Sequence, residues 1–123
     1  MSGEKLFSVQ EANSMLAVLA PRLERIREAR HELIRSAEQI ESRVAIDGGG
    51  VAGGSWFEAN AVLRTEVEAI VADGVILRDP EIGLVDFPSE RDGRGVFLCW
   101  KLGETEVAFW HPLDTGIASR KPI

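Results

Sequence analysis

Cysteine is all but missing from this sequence: Cys99 stands alone in 123 residues. That excludes an intrachain disulfide and leaves no cysteine framework for zinc. Long apolar runs are missing as well. The longest, Met15 to Ala20, is six residues, against the ~20 needed to span a bilayer. The N-terminal MSGEKLFSVQEA has no apolar signal-peptide core, so a cytoplasmic protein without a membrane span is expected. Positive charge is in short supply too. The net charge is -6, and residues 47–123 hold all of the excess, with 13 acidic against seven basic side chains. Nucleic acid, which calls for a basic face, is therefore not an expected partner. There is no Walker loop, no Gly-x-Gly-x-x-Gly, no Gly-x-Ser-x-Gly and no His-Glu-x-x-His.

What is present reads as one domain over 1–123, long enough to bury a core without staples. Ser8-Val9-Gln10-Glu11 has the form of a capping box, with Phe7 before it to staple onto the next turn. Val9, Ala12, Leu16, Leu19, Leu23, Ile26, Leu33, Ala37, Ile40 and Val44 then fall on one three-four spaced seam, interrupted only by Arg30. The spacing predicts a helix over 8–46, with a kink or break at Pro21. Five glycines within Asp47 to Gly54 end it in a Gly-rich loop. Ser55 to Glu58 is a second capping box, opening a helix over 55–73 that Asp73-Gly74 closes as a left-handed cap. Two helices joined by a short loop pack antiparallel. The second is the shorter, so the seam before Pro21 needs the sheet or another chain to cover it.

Residues 75–123 alternate as strands do. Turns are marked at Asp79-Pro80 and Asp92-Gly93, and a hairpin joins Val96–Leu102 to Thr105–His111 around Gly103-Glu104. If Leu102 faces Thr105, Lys101 meets Glu106 as an opposite-charge cross-strand pair. That register puts His111 with Leu98 and Trp100 on one face, and Cys99 with Phe97 and Trp110 on the other. The expected fold class is α+β: a long kinked helix and a shorter antiparallel one, packed with a small antiparallel sheet.

The segments EANSML, GLVDFPSERDGR with VFLCWKLGE, and FWHPLDTGIASRKP together resemble a prokaryotic family known as domain of unknown function 2203. The likeness covers nearly the whole chain. It implies a stand-alone cytoplasmic protein and brings no activity, cofactor or catalytic residue with it.

Several side chains are candidates for chemistry. Leu113-Asp114-Thr115-Gly116 has the look of an aspartic-protease signature, but those proteases are all-β and continue well past the motif. A turn, with Asp114 bonding backbone amides and Gly116 at positive φ, is the expected reading. Asp86 lies between Val85 and Phe87, where an unpaired charge is costly, and so needs a partner: Arg94, Arg120 or His111. Asp86, His111 and Asp114 can converge on one sheet edge as metal ligands, with Glu106 and Cys99 as further ligand types nearby. The face assignment excludes Cys99 from sharing an ion with His111, and Cys99 reads as a small buried hydrophobe. His31 reads as a solvated side chain.

Two functional expectations follow. The first is a protein-interaction module that forms a homodimer through Leu16, Leu19, Leu23, Ile26 and Arg30 of the long helix. The second is a small-molecule or metal-dependent enzyme with a site near Asp86, His111, Asp114 and Arg120. No motif names a cofactor or a substrate.

Overall fold

The computed structural model describes residues 5–47 and 54–123. The Gly-rich loop expected over 47–54 lies largely outside the described residues, as do the side chains of Ile40, Val44 and Ser55.

The first helical stretch is two pieces, α1 (Val9–Ser14) and α2 (Leu16–Asp47). The capping box forms as its spacing predicts: Glu11 N–H donates to Ser8 Oγ at 3.0 Å, and Ser8 N–H to Glu11 Oε1 at 2.8 Å. The interruption falls at Met15, and α2 runs on through Pro21. Its cause is local. The Ser14 hydroxyl donates to Glu11 O at 2.7 Å, occupying the carbonyl that Met15 N–H would use in a regular helix. Met15 N–H turns to Ala12 O instead.

The second helix, α3 (Gly54–Ala72), packs against α2. It ends with Gly74 at φ +84°. Gly74 N–H donates to Val71 O and Val75 N–H to Ile70 O, the paired bonds of a Schellman cap. Glu66 ties the two helices together, accepting from Arg22 at 2.8 Å and Arg25 at 2.9 Å.

The strands β1 (Ile76–Asp79), β2 (Leu84–Arg91), β3 (Arg94–Lys101), β4 (Phe109–Pro112) and β5 (Lys121–Pro122) form one antiparallel meander in sequence order. The fold class is α+β. Val85, Phe87, Leu98 and Trp100 point from one face of the sheet into a core shared with Phe7, Ala12, Leu19, Leu23, Ile26 and Ile70. Phe7 meets Phe87 edge-on at 5.2 Å. Its N–H donates to Pro88 O, extending the edge of β2 beyond the reach of β1.

This packing corrects the expected dimer seam. Leu19, Leu23 and Ile26 are fully buried within the single chain, each worth about 1.5–3 kcal/mol of burial, and Leu16 packs on the same cluster. Sheet and α3 together cover the seam. Arg30 pairs with Glu81 in the β1–β2 turn at 2.9 Å, and His31 meets the same carboxylate, so neither is an unpaired helix-surface group.

The β3–β4 hairpin departs from the expected register. Phe97 lies opposite His111 and Cys99 opposite Phe109, a slip of one residue from the register with Leu102 against Thr105. The strand also begins later, at Phe109 instead of Thr105. The Glu104 carboxylate accepts Lys101 N–H at 2.9 Å, and its backbone O accepts the Trp100 indole N–H at 3.0 Å. Val107 N–H is drawn off to Asn13 Oδ1 on α1 at 2.7 Å. These bonds hold residues 102–108 as a broad loop, and the Lys101–Glu106 pair does not form.

Candidate functional site

A one-residue slip in a strand sends every side chain to the opposite face. Here it brings Cys99 and His111 together on the face turned away from the helices. Asp86 joins them because Val85 and Phe87 on either side point into the core, and alternation along β2 turns Asp86 the other way. Asp86 lies directly opposite Cys99 across the β2–β3 ladder. One ligand atom from each of Asp86, Cys99 and His111 lies within 4.8 Å of the others, and all three residues are buried.

The hydrogen bonds around this trio are specific. His111 Nε2 is 3.0 Å from Asp86 Oδ2, and Nδ1 is 2.9 Å from Pro112 O. A carbonyl only accepts, so Nδ1 carries a proton and donates. Nε2 then either donates a second proton to the carboxylate or, unprotonated, presents a lone pair. Arg78 Nε also donates to Asp86 Oδ2, at 2.8 Å, while its guanidinium rests over the Phe97 ring at 4.9 Å. The other carboxylate oxygen, Oδ1, is buried with no hydrogen-bond partner among the described residues. An orphaned carboxylate oxygen in the interior is costly unless something else satisfies it.

Burial, and then the Asp86 carboxylate, push the Cys99 thiol up to about 11. Arg120 pulls the other way, with Nη1 3.8 Å from Sγ. Arg120 is itself held over Phe109 and paired with Glu104 at 2.6 Å. Burial works to raise the Glu104 carboxyl, and the Arg120 guanidinium overrules it, leaving it below the usual carboxylate range.

The trio lines a cavity of about 410 Å³ together with Arg78, Leu84, Leu113, Asp114 and Ile117. Of the residues expected here, Asp86 and His111 are in direct contact and Asp114 sits exposed on the cavity wall. Arg120 reaches the site only through Cys99. Arg94, the first partner considered for Asp86, is exposed opposite Arg91 at the β2–β3 turn, and Glu106 is exposed in the 102–108 loop. Among the described residues the Asp114 side chain accepts no backbone hydrogen bond: Thr115 N–H turns to Pro112 O, and Gly116 is extended at φ -122°. Cys99 and Arg78 were missed as site residues. The signal for Arg78 was available, since antiparallel pairing about the Asp79-Pro80 turn brings it close to Asp86. For Cys99 the signal depended on the loop length after Lys101.

The chain belongs to the family described as uncharacterized conserved protein (DUF2203), whose model matches residues 5–123. No curated protein and no solved structure is similar enough to count as a match. Among the described residues, no helix is long and apolar enough to cross a membrane.

Proposed function

We propose that this member of the DUF2203 family binds a divalent transition-metal ion, with zinc the best fit, through Asp86 Oδ1, Cys99 Sγ and His111 Nε2. The observation that carries the reading is the orphaned Oδ1 of a buried aspartate, beside a thiol and an imidazole at ligand spacing. A mixed sulfur, nitrogen and oxygen set suits zinc, and tetrahedral ligand atoms sit roughly 3.3–3.7 Å apart. Closing from 4.8 Å to that spacing takes about one ångström of side-chain movement.

The surroundings match what a metal centre uses. The Nδ1–H bond to Pro112 O leaves Nε2 as the nitrogen that would ligate, once it exchanges its contact with Asp86 Oδ2 for the ion. Arg120 beside Sγ partly offsets the burial and the Asp86 charge that hold Cys99 as a thiol, and a bound ion would supply the rest of the charge needed for the ligating thiolate. Three protein ligands lining a cavity leave a fourth position open, the arrangement of reactive rather than purely structural zinc sites. The self-association reading has lost its premise, because the seam it relied on is consumed inside the chain.

The test is elemental analysis of untagged protein purified without chelators, followed by zinc titration of the stripped protein. The expected result is one ion per chain, lost in Cys99→Ala and His111→Ala variants that remain folded. Protein that purifies without metal and takes up none would reduce the trio to an ion-pair network tying β1 to β4.

A further inference from the structure

The cavity lined by the trio has a chemical character of its own. On one side is Arg78. Its Nε is committed to Asp86, and its plane is fixed over Phe97. Nη1 and Nη2 make no hydrogen bond among the described residues, and the side chain is 41% exposed where it borders the cavity. A guanidinium held on two sides, with its outer edge free, is pre-organised for one planar anion. The cavity is also lined by apolar side chains: Leu84, Leu113 and Ile117. Of the other polar groups lining it, the Thr115 hydroxyl is spent on Pro112 O, and Asp114 adds negative charge.

These features discriminate between anions. With the metal bound, its charge and that of Arg78 are largely offset by Asp86 and the Cys99 thiolate, leaving about one positive charge, so a dianionic phosphate would be over-charged for the site and would lie near the Asp114 carboxylate in a chain of net charge -6. A monocarboxylate asks for less positive charge, matches the fork geometry of Arg78, and can lay a short hydrocarbon tail along the Leu and Ile walls. A cavity of about 410 Å³ is within the range that small-molecule sites occupy.

We infer that the site binds a small aliphatic monocarboxylate, whose carboxylate takes up the metal's open position and the Nη edge of Arg78 while its tail lies against Leu84, Leu113 and Ile117. This rests on the metal reading above. No covalent bond of the ligand changes in the binding step: a carboxylate oxygen would take the ion's open position and the water it displaces would leave to solvent.

Cobalt(II) in place of zinc gives a visible spectrum that reports on its coordination, and the probe is butyrate titrated into the cobalt protein. Saturable change in the cobalt bands is expected. Arg78→Met should raise the half-saturating butyrate concentration about tenfold or more through loss of charge-assisted hydrogen bonds. Ile117→Trp should weaken butyrate while sparing acetate, because it fills the tail space and leaves the anion site alone. Cobalt stoichiometry is measured for each variant, so carboxylate binding is read only on protein that holds the metal. Bands indifferent to butyrate up to roughly 100 mM, where even a very weak site would fill, overturn the inference and leave the metal site standing. So does a response to inorganic phosphate alone, or a butyrate response unaltered in Arg78→Met. Failure of cobalt to bind at all removes the metal reading and this inference with it.

Discussion

Replacing Asp86 by Asn keeps the shape of the side chain and removes its charge, and in metal-stripped protein the cost is calculable from its partners. Asp86 is 2% exposed and His111 3%, so that arm of the network is screened by almost no water, whereas Arg78 is 41% exposed. The Arg78 arm, being partly solvated, contributes on the order of 1 kcal/mol or less. The buried arm dominates, because both ring nitrogens of His111 face acceptors and the imidazole loses its counter-charge when Asp86 becomes neutral. Removing one partner from a buried charged pair costs roughly 3–5 kcal/mol. Taking about 4 kcal/mol, and an unfolding entropy of about 0.26 kcal/mol/K for a chain of this length, Tm should fall by about 15 °C. Urea denaturation followed by circular dichroism in the presence of EDTA gives the free energy directly. Arg78→Met and the double variant complete a cycle in which the Arg78–Asp86 coupling should be the small share. A loss below about 1 kcal/mol for Asp86→Asn would refute the reasoning, since a buried charged pair cannot be broken so cheaply.

Three further outcomes are expected. The Cys99 thiol is raised from 9.0 to about 11 in the folded chain, so stability from this source is complete below pH 9 and is lost as pH climbs towards 11. In metal-free protein the loss is about 2–3 kcal/mol; Cys99→Ala should show correspondingly less alkaline destabilisation in denaturant melts from pH 8 to 11. Leu23→Ala should cost about 2–5 kcal/mol by opening a core cavity, with no change in sedimentation coefficient; a shift in association state with unchanged stability would restore the dimer seam. Gly83→Ala should destabilise by roughly 1–3 kcal/mol, because Gly83 sits at φ +70° and a Cβ there would lie 2.6 Å from Leu102 Cβ; a melting temperature equal to wild type would refute this.

Helical structure was the most legible part of the sequence because its signals are local. Ser8 and Glu11 are three residues apart, and Gly74 closes α3 through bonds within one turn. The break at Met15 was missed because Pro21 is a louder signal than a serine hydroxyl bonding backwards. The candidate site was half legible. An aspartate between two inward-facing hydrophobes announces an unusual environment, and His111 was named beside it. His111 was assigned to the wrong face, away from Cys99, because the expected hairpin satisfied Lys101 with Glu106, while the folded chain satisfies the Lys101 backbone with Glu104. That choice is made partly by Asn13, which bonds Val107 from α1. No rule of local spacing contains a contact between residues 94 positions apart.

The loop from 102 to 108 therefore has an unusual relation to insertion and deletion. Surface loops ordinarily absorb a residue gained or lost with little consequence, since the entropic penalty of length is slight. In this chain one residue more or fewer, with the strand pairing otherwise kept, would rotate β4 by half a pleat. His111 would turn towards α2, and Trp110 would take its place beside Cys99 and Asp86. The helices, the meander and most of the core would persist, while the thiol, imidazole and carboxylate could no longer meet. Homologues could then share this fold to the last strand and differ in whether they possess a ligand set at all, with the length of one loop as the trait that sorts them.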